Sequence, residues 1–161
     1  MGCIDASDIE AIRNELKKTA ADYSQMTVKA VGISINTGYS NTKTSSVSIE
    51  KNRPLQSLHE DVMTRMEPFF RYSVNTQMIN AQTVSDSTLK WIKHFRESSA
   101  FNKFLPHITI GYGEIYTSKL PIEFRPQSLA ICHLGNHCTC THIIDYLQLT
   151  HSTHFTRSGQ A

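Results

Sequence analysis

The most informative segment of this chain is Leu105-Pro106-His107-Ile108-Thr109-Ile110-Gly111-Tyr112-Gly113. Successive side chains of an extended strand point to opposite faces, so the alternation predicts that Ile108 and Ile110 enter a core. His107 and Thr109 then stand together on the other face. A neutral imidazole can exchange a proton near neutral pH, and a hydroxyl can donate a hydrogen bond to a phosphate oxygen. The pair therefore indicates phosphoester chemistry.

The spacing of His and Thr is not specific by itself, because H-x-T occurs four times in the 161 residues. The other copies begin at His137, His151 and His154, and none of them has apolar residues strictly alternating with the polar pair. Only the copy at His107 has the pattern of a half-buried strand. The competing interpretation is a strand that carries these side chains without any role in chemistry.

The segment Phe104–Gly111 resembles the second H-x-T-x motif of the 2H phosphoesterase superfamily, which includes 2′-5′ RNA ligase-like proteins and cyclic nucleotide phosphodiesterases. Leu55–Glu60, which follows the strand-like Ser46–Glu50, is similar to the elements that precede that motif. The resemblance runs from about Ser7 to Leu149 and is specific around the histidine.

In that superfamily two H-x-T-x motifs face each other across a groove, one His acting as general base and the other as general acid. The resemblance implies that His107 transfers a proton and that Thr109 holds a nonbridging phosphate oxygen, with no metal and no cofactor. No H-x-T or H-x-S precedes His107, and the earlier His59 and His94 fall in helical patterns. We therefore expect the first motif and its strand to be missing, with Met1 an internal start.

Apolar periodicity predicts helix, strand, strand in each half of the chain. A capping box at Ser7-Asp8-Ile9-Glu10 predicts where the first helix begins. In the strand that follows, Val31, Ile33 and Ile35 are expected on one face. The predicted helices are Asp8–Ala21, Pro54–Met66 and Ser87–Ser98, and the predicted strands are Thr27–Asn36, Thr44–Glu50, the His107 strand, Ile122–Phe124, Leu129–His133 and Thr141–Leu149.

The repeated order predicts an α+β fold that is two-lobed and pseudo-symmetric, with antiparallel sheets forming a central groove and helices packed outside. Residues 1–149 are expected to form a single two-lobed domain whose lobes exchange around residues 50–105. Residues 150–161 are expected to form a loose C-terminal tail.

The composition of the chain limits the classes of molecule that it is expected to bind. Sixteen Lys and Arg against fourteen Asp and Glu leave a formal charge of +2, which argues against binding a DNA duplex and for a small or short anionic substrate. Four cysteines without a signal-peptide pattern indicate a reducing, cytoplasmic setting. No apolar run approaches the roughly 20 residues of a membrane span.

Several other side chains are candidates for binding. Tyr112 and Tyr116 follow the motif and are candidates for stacking on a nucleotide base, because aromatic faces bind bases without reading sequence. Arg71 and Arg125 are candidate phosphate clamps because Arg favours bidentate contacts with anions. Packing in the core or at the rim is the alternative role for the two tyrosines.

Six potential metal ligands lie between Cys132 and His142. Zinc accepts four such ligands in a tetrahedron, but alternation along a hairpin divides them between two faces, so a hairpin with buried thiols is favoured over a metal site. If the hairpin borders the groove, His133 or His137 is a candidate to replace the missing histidine, and His133 then also contacts substrate.

Three hypotheses follow from the sequence. The first is a phosphoesterase that acts on a 2′,3′-cyclic phosphate or a 2′-5′-linked nucleotide or RNA end, impaired by loss of the first motif. The second is a catalytically inactive nucleotide or RNA-end binding module, and the third is a purely structural interaction domain. A missing strand also leaves an exposed sheet edge, which favours a homodimer.

Overall fold

The computed structural model describes residues 1–23, 26–37, 43–116 and 119–149. It confirms the α+β class, with helices packed against antiparallel sheets. The predicted C-terminal tail, residues 150–161, lies outside the described residues. The helices are α1 (Ile9–Asp22), α2 (Arg53–Met66) and α3 (Asp86–Ser99), and the strands are β1 (Val28–Thr37), β2 (Lys43–Ile49), β3 (His107–Tyr112), β4 (Ile122–Phe124), β5 (Ser128–Leu134) and β6 (Cys140–Gln148).

The strands of the two halves of the chain combine in one sheet. It has four antiparallel strands in the order β3-β2-β1-β4, and a separate hairpin is formed by β5 and β6. In the described part of the chain β3 is therefore an edge strand, bonded to β2 on one side. This topology places His107 at the border of the sheet.

The start of α1 differs from the prediction. A single 3-10 turn, Ala6–Asp8, precedes the helix, and no side chain caps either element. Asp8 already has near-helical backbone angles, φ −88° and ψ −5°, so Ser7 lies inside the turn. An N-cap requires an extended residue just outside the helix, and the predicted capping box is wrong for this reason.

The other two helices begin with side-chain caps. Asn52 accepts a hydrogen bond from the Leu55 N–H at 2.9 Å, and Ser85 accepts one from the Thr88 N–H at 3.3 Å. Pro54 stands in the first turn of α2, where its missing N–H has no intrahelical partner to lose. Every helix in the described ranges is too short or too polar to cross a membrane.

The apolar core includes two clusters of buried side chains. Burial of these aliphatic side chains stabilises the fold by about 1.5–3 kcal/mol each. They join α1 and α2 to the hairpin and to the start of β1, and neither contains a residue of β3. The first cluster comprises Ile12, Leu16, Ala20, Met66, Leu147 and Leu149, and the second comprises Met26, Val28 and Leu58.

A β-bulge in β1 changes which residues share a face. Ala30 pairs with Ile49 but Gly32 pairs with Ser48, so Val31 is an extra residue between them. Val31 is 43 % exposed. The prediction that it shares a face with the isoleucines downstream is wrong, because the bulge shifts the alternation by one residue.

The predicted core face of β3 is wrong as well. Ile108 and Ile110 are 49 % and 45 % exposed. Ile108 lies beside Val47 on the helix side of the sheet, but α2 packs under β1 and does not reach the edge strand. Ile110 is the extra residue of a second irregularity, between the pairs Ser46–Thr109 and Ser45–Gly111.

The β5–β6 hairpin closes through a tight turn. The turn Asn136–Cys138 contains two residues in the left-handed region, His137 at φ 57° and Cys138 at φ 58°. Its Asn136 Oδ1 accepts from the Ser85 N–H at 3.0 Å and from the Thr88 Oγ1 at 2.8 Å. These bonds dock the turn on the N-terminus of α3.

Candidate functional site

Cross-strand pairing gathers polar side chains on one face of the four-stranded sheet. Ser48 pairs with His107, and Ser46 pairs with Thr109 on one side and with Ser34 on the other. Directly paired residues present their side chains on the same face. We call these five residues the polar face. The sheet thus brings the predicted imidazole and hydroxyl together with three serine hydroxyls.

The side chains of the polar face are closely spaced. The Ile49 N–H donates to the Pro106 carbonyl at 3.1 Å, so by alternation the pair Ser48–His107 is a non-hydrogen-bonded pair of the ladder. Cα atoms in such pairs are about 4.5 Å apart. Ser34 Oγ and Ser48 Oγ lie 2.5 Å apart and share a hydrogen bond. Ser46 is only 6 % exposed, so the hydroxyls of this face that can donate to a phosphate group are those of Thr109, Ser48 and Ser34.

The ring of His107 is oriented by its own strand. Nδ1 lies 2.9 Å from the Leu105 carbonyl oxygen. A carbonyl oxygen only accepts hydrogen bonds, so Nδ1 carries the proton and the neutral ring has its lone pair at Nε2. Because His107 is exposed, that lone pair is accessible to water and to a substrate. The tautomer is the one that a general base using Nε2 requires.

His59 holds the turn that precedes β3. Its Nε2 accepts a hydrogen bond from the Phe101 N–H at 2.9 Å, and its ring stacks on Phe104 at 3.9 Å between centroids. Burial lowers the pKa of His59, which favours the neutral ring that this acceptor role requires. Phe101 has a left-handed backbone, φ 55°. His59 thus acts structurally, fixing the entry of the chain into β3.

Tyr112 and His137 meet at the far end of β3. Their ring centroids are 6.2 Å apart in an edge-to-face arrangement, and Tyr112 is 68 % exposed. Five residues of strand separate Tyr112 from His107, which corresponds to about 16 Å. His137 therefore does not replace a second histidine beside His107 in one chain. Tyr116, also exposed, donates its hydroxyl proton to Glu114.

The remaining hairpin candidates are divided between two faces. His133 pairs with His142, their rings 6.1 Å apart, while Cys132 lies on the opposite face, where its thiol contacts that of Cys140. Burial first, and then the neighbouring Cys140, raise the pKa of Cys132. Within the described ranges no three potential ligand side chains converge as metal ligands would. Cys140 is exposed, so the expectation of buried thiols is wrong there.

The two candidate arginines lie away from the polar face. The backbone of Arg71 pairs with Cys3, and its guanidinium donates to the Pro68 carbonyl at 3.3 Å. Arg125 follows β4, which is separated from β3 by three strand spacings, or about 14 Å. Neither arginine is brought to His107.

Two surface cavities also lie away from the polar face. One, of about 410 Å³, is lined by Lys17 and Tyr146 between α1 and β6. The other, of about 610 Å³, lies between Tyr72 and Lys93 of α3. Neither is lined by a residue of the polar face, in which His107 and Thr109 are exposed while Ser46 is only 6 % exposed.

The three serines were missed by reasoning from the sequence, although a signal was present. Ser46-Val47-Ser48-Ile49 alternates small hydroxyl side chains with apolar ones, as the His107 segment does. Alternation alone gives no register between strands. No known protein family, curated protein or solved structure matches this chain.

Proposed function

We propose that this protein is a 2H phosphoesterase-like enzyme that hydrolyses a 2′,3′-cyclic phosphate or a 2′-5′-linked nucleotide or RNA end. The observation that carries the proposal is the exposure of His107 and Thr109 side by side on the polar face. A row of hydroxyls next to an imidazole with a free Nε2 has the donors and the base that a phosphoester reaction requires. The two-lobed arrangement and its central groove are part of the same proposal. So is a cytoplasmic setting, which the four free thiols favour.

The chemistry assigns a step to each group. A water oxygen attacks phosphorus while His107 Nε2 takes its proton, and Thr109 with Ser48 donates hydrogen bonds to the nonbridging oxygens. The bond from phosphorus to the 2′ or 3′ oxygen breaks, and that oxygen takes up a proton. No metal or cofactor takes part in this scheme.

The geometry of the displacement at phosphorus limits a single imidazole to one of the two proton transfers. The attacking and leaving oxygens lie roughly in line on opposite sides of phosphorus, so one ring cannot serve both. With His107 alone, the proton for the leaving oxygen comes from solvent. General acid or base help contributes typically about 10²- to 10⁴-fold, and a site with one histidine lacks one such factor.

A second candidate is a nucleotide or RNA-end binding module. The observation that favours it is that the described residues place no second imidazole beside His107 on the polar face. Hydroxyls and a neutral imidazole still bind a phosphate when they do not transform it. Tyr112, 68 % exposed, is available to stack on a base.

Turnover of 2′,3′-cyclic nucleotides and of a 2′-5′-linked dinucleotide tests the enzyme hypothesis. We expect product by chromatography from the natural chain, and a loss of about 10²-fold or more in His107→Gln. His94→Gln is the matched control, since His94 lies exposed on α3 beside Glu97. Equal rates in the two variants contradict the proposal. Binding without turnover, weakened by Thr109→Val, identifies the binding module instead.

A further inference from the structure

We infer that two copies of this chain pair through their β3 edges and assemble a site with two His107 rings and two Thr109 hydroxyls on one continuous sheet face. The inference rests on the proposed function for its chemistry. Its geometry rests on the backbone of β3 alone.

The direction of the backbone groups of β3 fixes what its open edge can bind. The Pro106 carbonyl accepts from Ile49 of β2. Peptide groups alternate in direction along an antiparallel ladder, so Ile108 also bonds toward β2. The N–H and C=O groups of His107 and Thr109 then point away from β2. In the described part of the chain no strand pairs with that edge.

An antiparallel twofold pair satisfies these groups in one register. With the axis at Ile108, His107 of one copy is opposite Thr109 of the other, and both exchange N–H···O=C bonds. The reverse pair is generated by symmetry, so four backbone hydrogen bonds form. The axis is perpendicular to the sheet, and the polar faces of the two copies become one surface.

The side chains along the edge favour a second copy as the occupant. The segment His107–Tyr112 has no residue with a formal charge, so self-pairing places no like charges opposite each other. Leu105 and Ile108 are 78 % and 49 % exposed at this edge, and the pairing covers both. An uncharged, self-complementary edge strand with exposed aliphatic side chains has the properties of an isologous contact.

The paired site has what one chain lacks. In this register the two His107 Cα atoms are about 8 Å apart, two residues along and one strand across. Each ring has a Thr109 hydroxyl of the other copy directly opposite. One imidazole then takes the proton of the attacking water while the other, protonated, gives its proton to the leaving oxygen. Both sides of an in-line displacement are served.

The oligomeric state gives the first test. Sedimentation over a range of concentrations is expected to show a monomer–dimer equilibrium for the natural chain. Ile108→Lys puts two ammonium groups opposite each other on the axis and is expected to be monomeric. Val31→Lys is the matched control, because Val31 is 43 % exposed on the bulge of β1, away from this edge, and this variant stays dimeric. Circular dichroism confirms that both variants fold.

Cross-linking tests the register independently of activity. Ile108→Cys places two thiols opposite each other across the axis, with Cβ atoms about 4.5–5.5 Å apart. Copper–phenanthroline with air is expected to oxidise them to an intermolecular disulfide, found by peptide mapping. Ile110→Cys faces Pro106 of the other copy and is expected to cross-link poorly, as is the parent chain with its four native cysteines.

Activity connects the pairing to the site. Turnover per chain is expected to fall on dilution below the dimer dissociation constant and to be lost in Ile108→Lys, which keeps His107 and Thr109. Full turnover by that monomeric variant overturns the inference and leaves the proposed function standing. Cross-linking of Ile108→Cys without any turnover supports the pairing and rejects the proposed function. A natural chain that is monomeric throughout, or that dimerises only after residues 150–161 are removed, overturns the pairing.

Discussion

The pattern H-x-T has different backbone conformations at two places in this molecule. The two copies are His107-Ile108-Thr109 and His137-Cys138-Thr139. The first is an extended strand whose polar side chains are exposed on one face. The second is a turn in which two residues have left-handed backbone angles. There the His137 N–H donates to Thr88 Oγ1 at 2.9 Å, and Thr139 Oγ1 donates to the Asn136 carbonyl at 2.9 Å.

The difference shows that the backbone, and not the residue pair, determines what H-x-T does. On a strand the spacing of two residues puts both side chains on one face. In the turn, two left-handed residues interrupt that alternation, and the polar groups bond within the protein. The strand copy is available for a ligand, whereas the turn copy holds the hairpin to α3.

The largest expected effect separates the two copies by activity. His107→Ala is expected to reduce turnover of a 2′,3′-cyclic nucleotide by about 10²- to 10⁴-fold, because the general base is lost. His137→Ala is expected to leave turnover within about twofold, since its ring is about 16 Å of strand away from His107. Initial rates at saturating substrate measure both. Equal losses would show that the turn copy belongs to the site.

The free energy of unfolding is expected to depend on the threonine that bonds to the turn copy, Thr88, and hardly at all on Thr109 of the strand copy. Thr88, 2 % exposed, bonds to Asn136 and to the turn. Thr88→Val removes the acceptor of the His137 N–H and one of the donors to Asn136 Oδ1, and is expected to lower the free energy of unfolding by about 2–3 kcal/mol. Thr109→Val is the matched substitution on the strand copy and is expected to change it by less than about 0.5 kcal/mol. Urea titration distinguishes them, and a large loss in Thr109→Val would contradict the exposed position of the Thr109 side chain.

The pH dependence of stability is expected to report on His59, which supports the strand copy. The folded pKa of His59 is lowered by burial, so on acidification the unfolded chain takes up this proton first. Its contribution is present above the unfolded pKa of about 6.5 and is lost as the pH falls below it.

The variant His59→Ala checks this interpretation. It is expected to lower the free energy of unfolding at pH 7.5 by about 1–2 kcal/mol, because the Phe101 N–H loses its acceptor. The variant is also expected to lose part of the dependence on pH between 7 and 5. His94→Ala, on the exposed face of α3, is the control, and an unchanged pH profile in His59→Ala would reject the role of this ring.

The smallest expected effect is the change in the free energy of unfolding when His is replaced by Gly, and it is expected to have opposite signs in the two copies. His137 has φ 57°, where glycine is free of the steric strain that other residues have. His137→Gly is expected to raise the free energy of unfolding by about 0.5 kcal/mol. His107→Gly on the extended strand is expected to lower it by about 0.5–1 kcal/mol. Two changes of the same sign would show that strain does not distinguish the copies.

Much of the secondary structure follows from the sequence, because periodicity is a local property. The strand predicted at Ile122–Phe124 has the same bounds in the structure, and α2 and α3 begin within a residue of the predicted positions. The alternation of apolar residues does not show whether another element packs over the strand. The alternation at Ile108 predicted burial, but whether a helix lies over a strand depends on where distant segments pack, and α2 lies under β1.

The candidate site was predicted only in part, for a similar reason. His107 and Thr109 were placed on one face by alternation, and the structure has them there. The neighbouring Ser34, Ser46 and Ser48 depend on the register between three strands, and single-strand patterns do not encode register. The irregularities in β1 and β3 are likewise set by pairing.

The bulge at Val31 determines which side chains in the rest of β1 face the helices. Before it, Val28 and Ala30 face the helices, and after it, Ile33 and Ile35 do so again, although an uninterrupted strand would turn them to the opposite side. The bulge thereby keeps Ile33 and Ile35 on the same side of the sheet as Ala30 and leaves Ser34 on the face that carries Ser46 and Thr109. If Val31 were instead placed in a regular strand without the bulge, Ile33 and Ile35 would turn outward and Ser34 inward, so the chemistry of this surface depends on how the backbone accommodates a residue that takes no part in it.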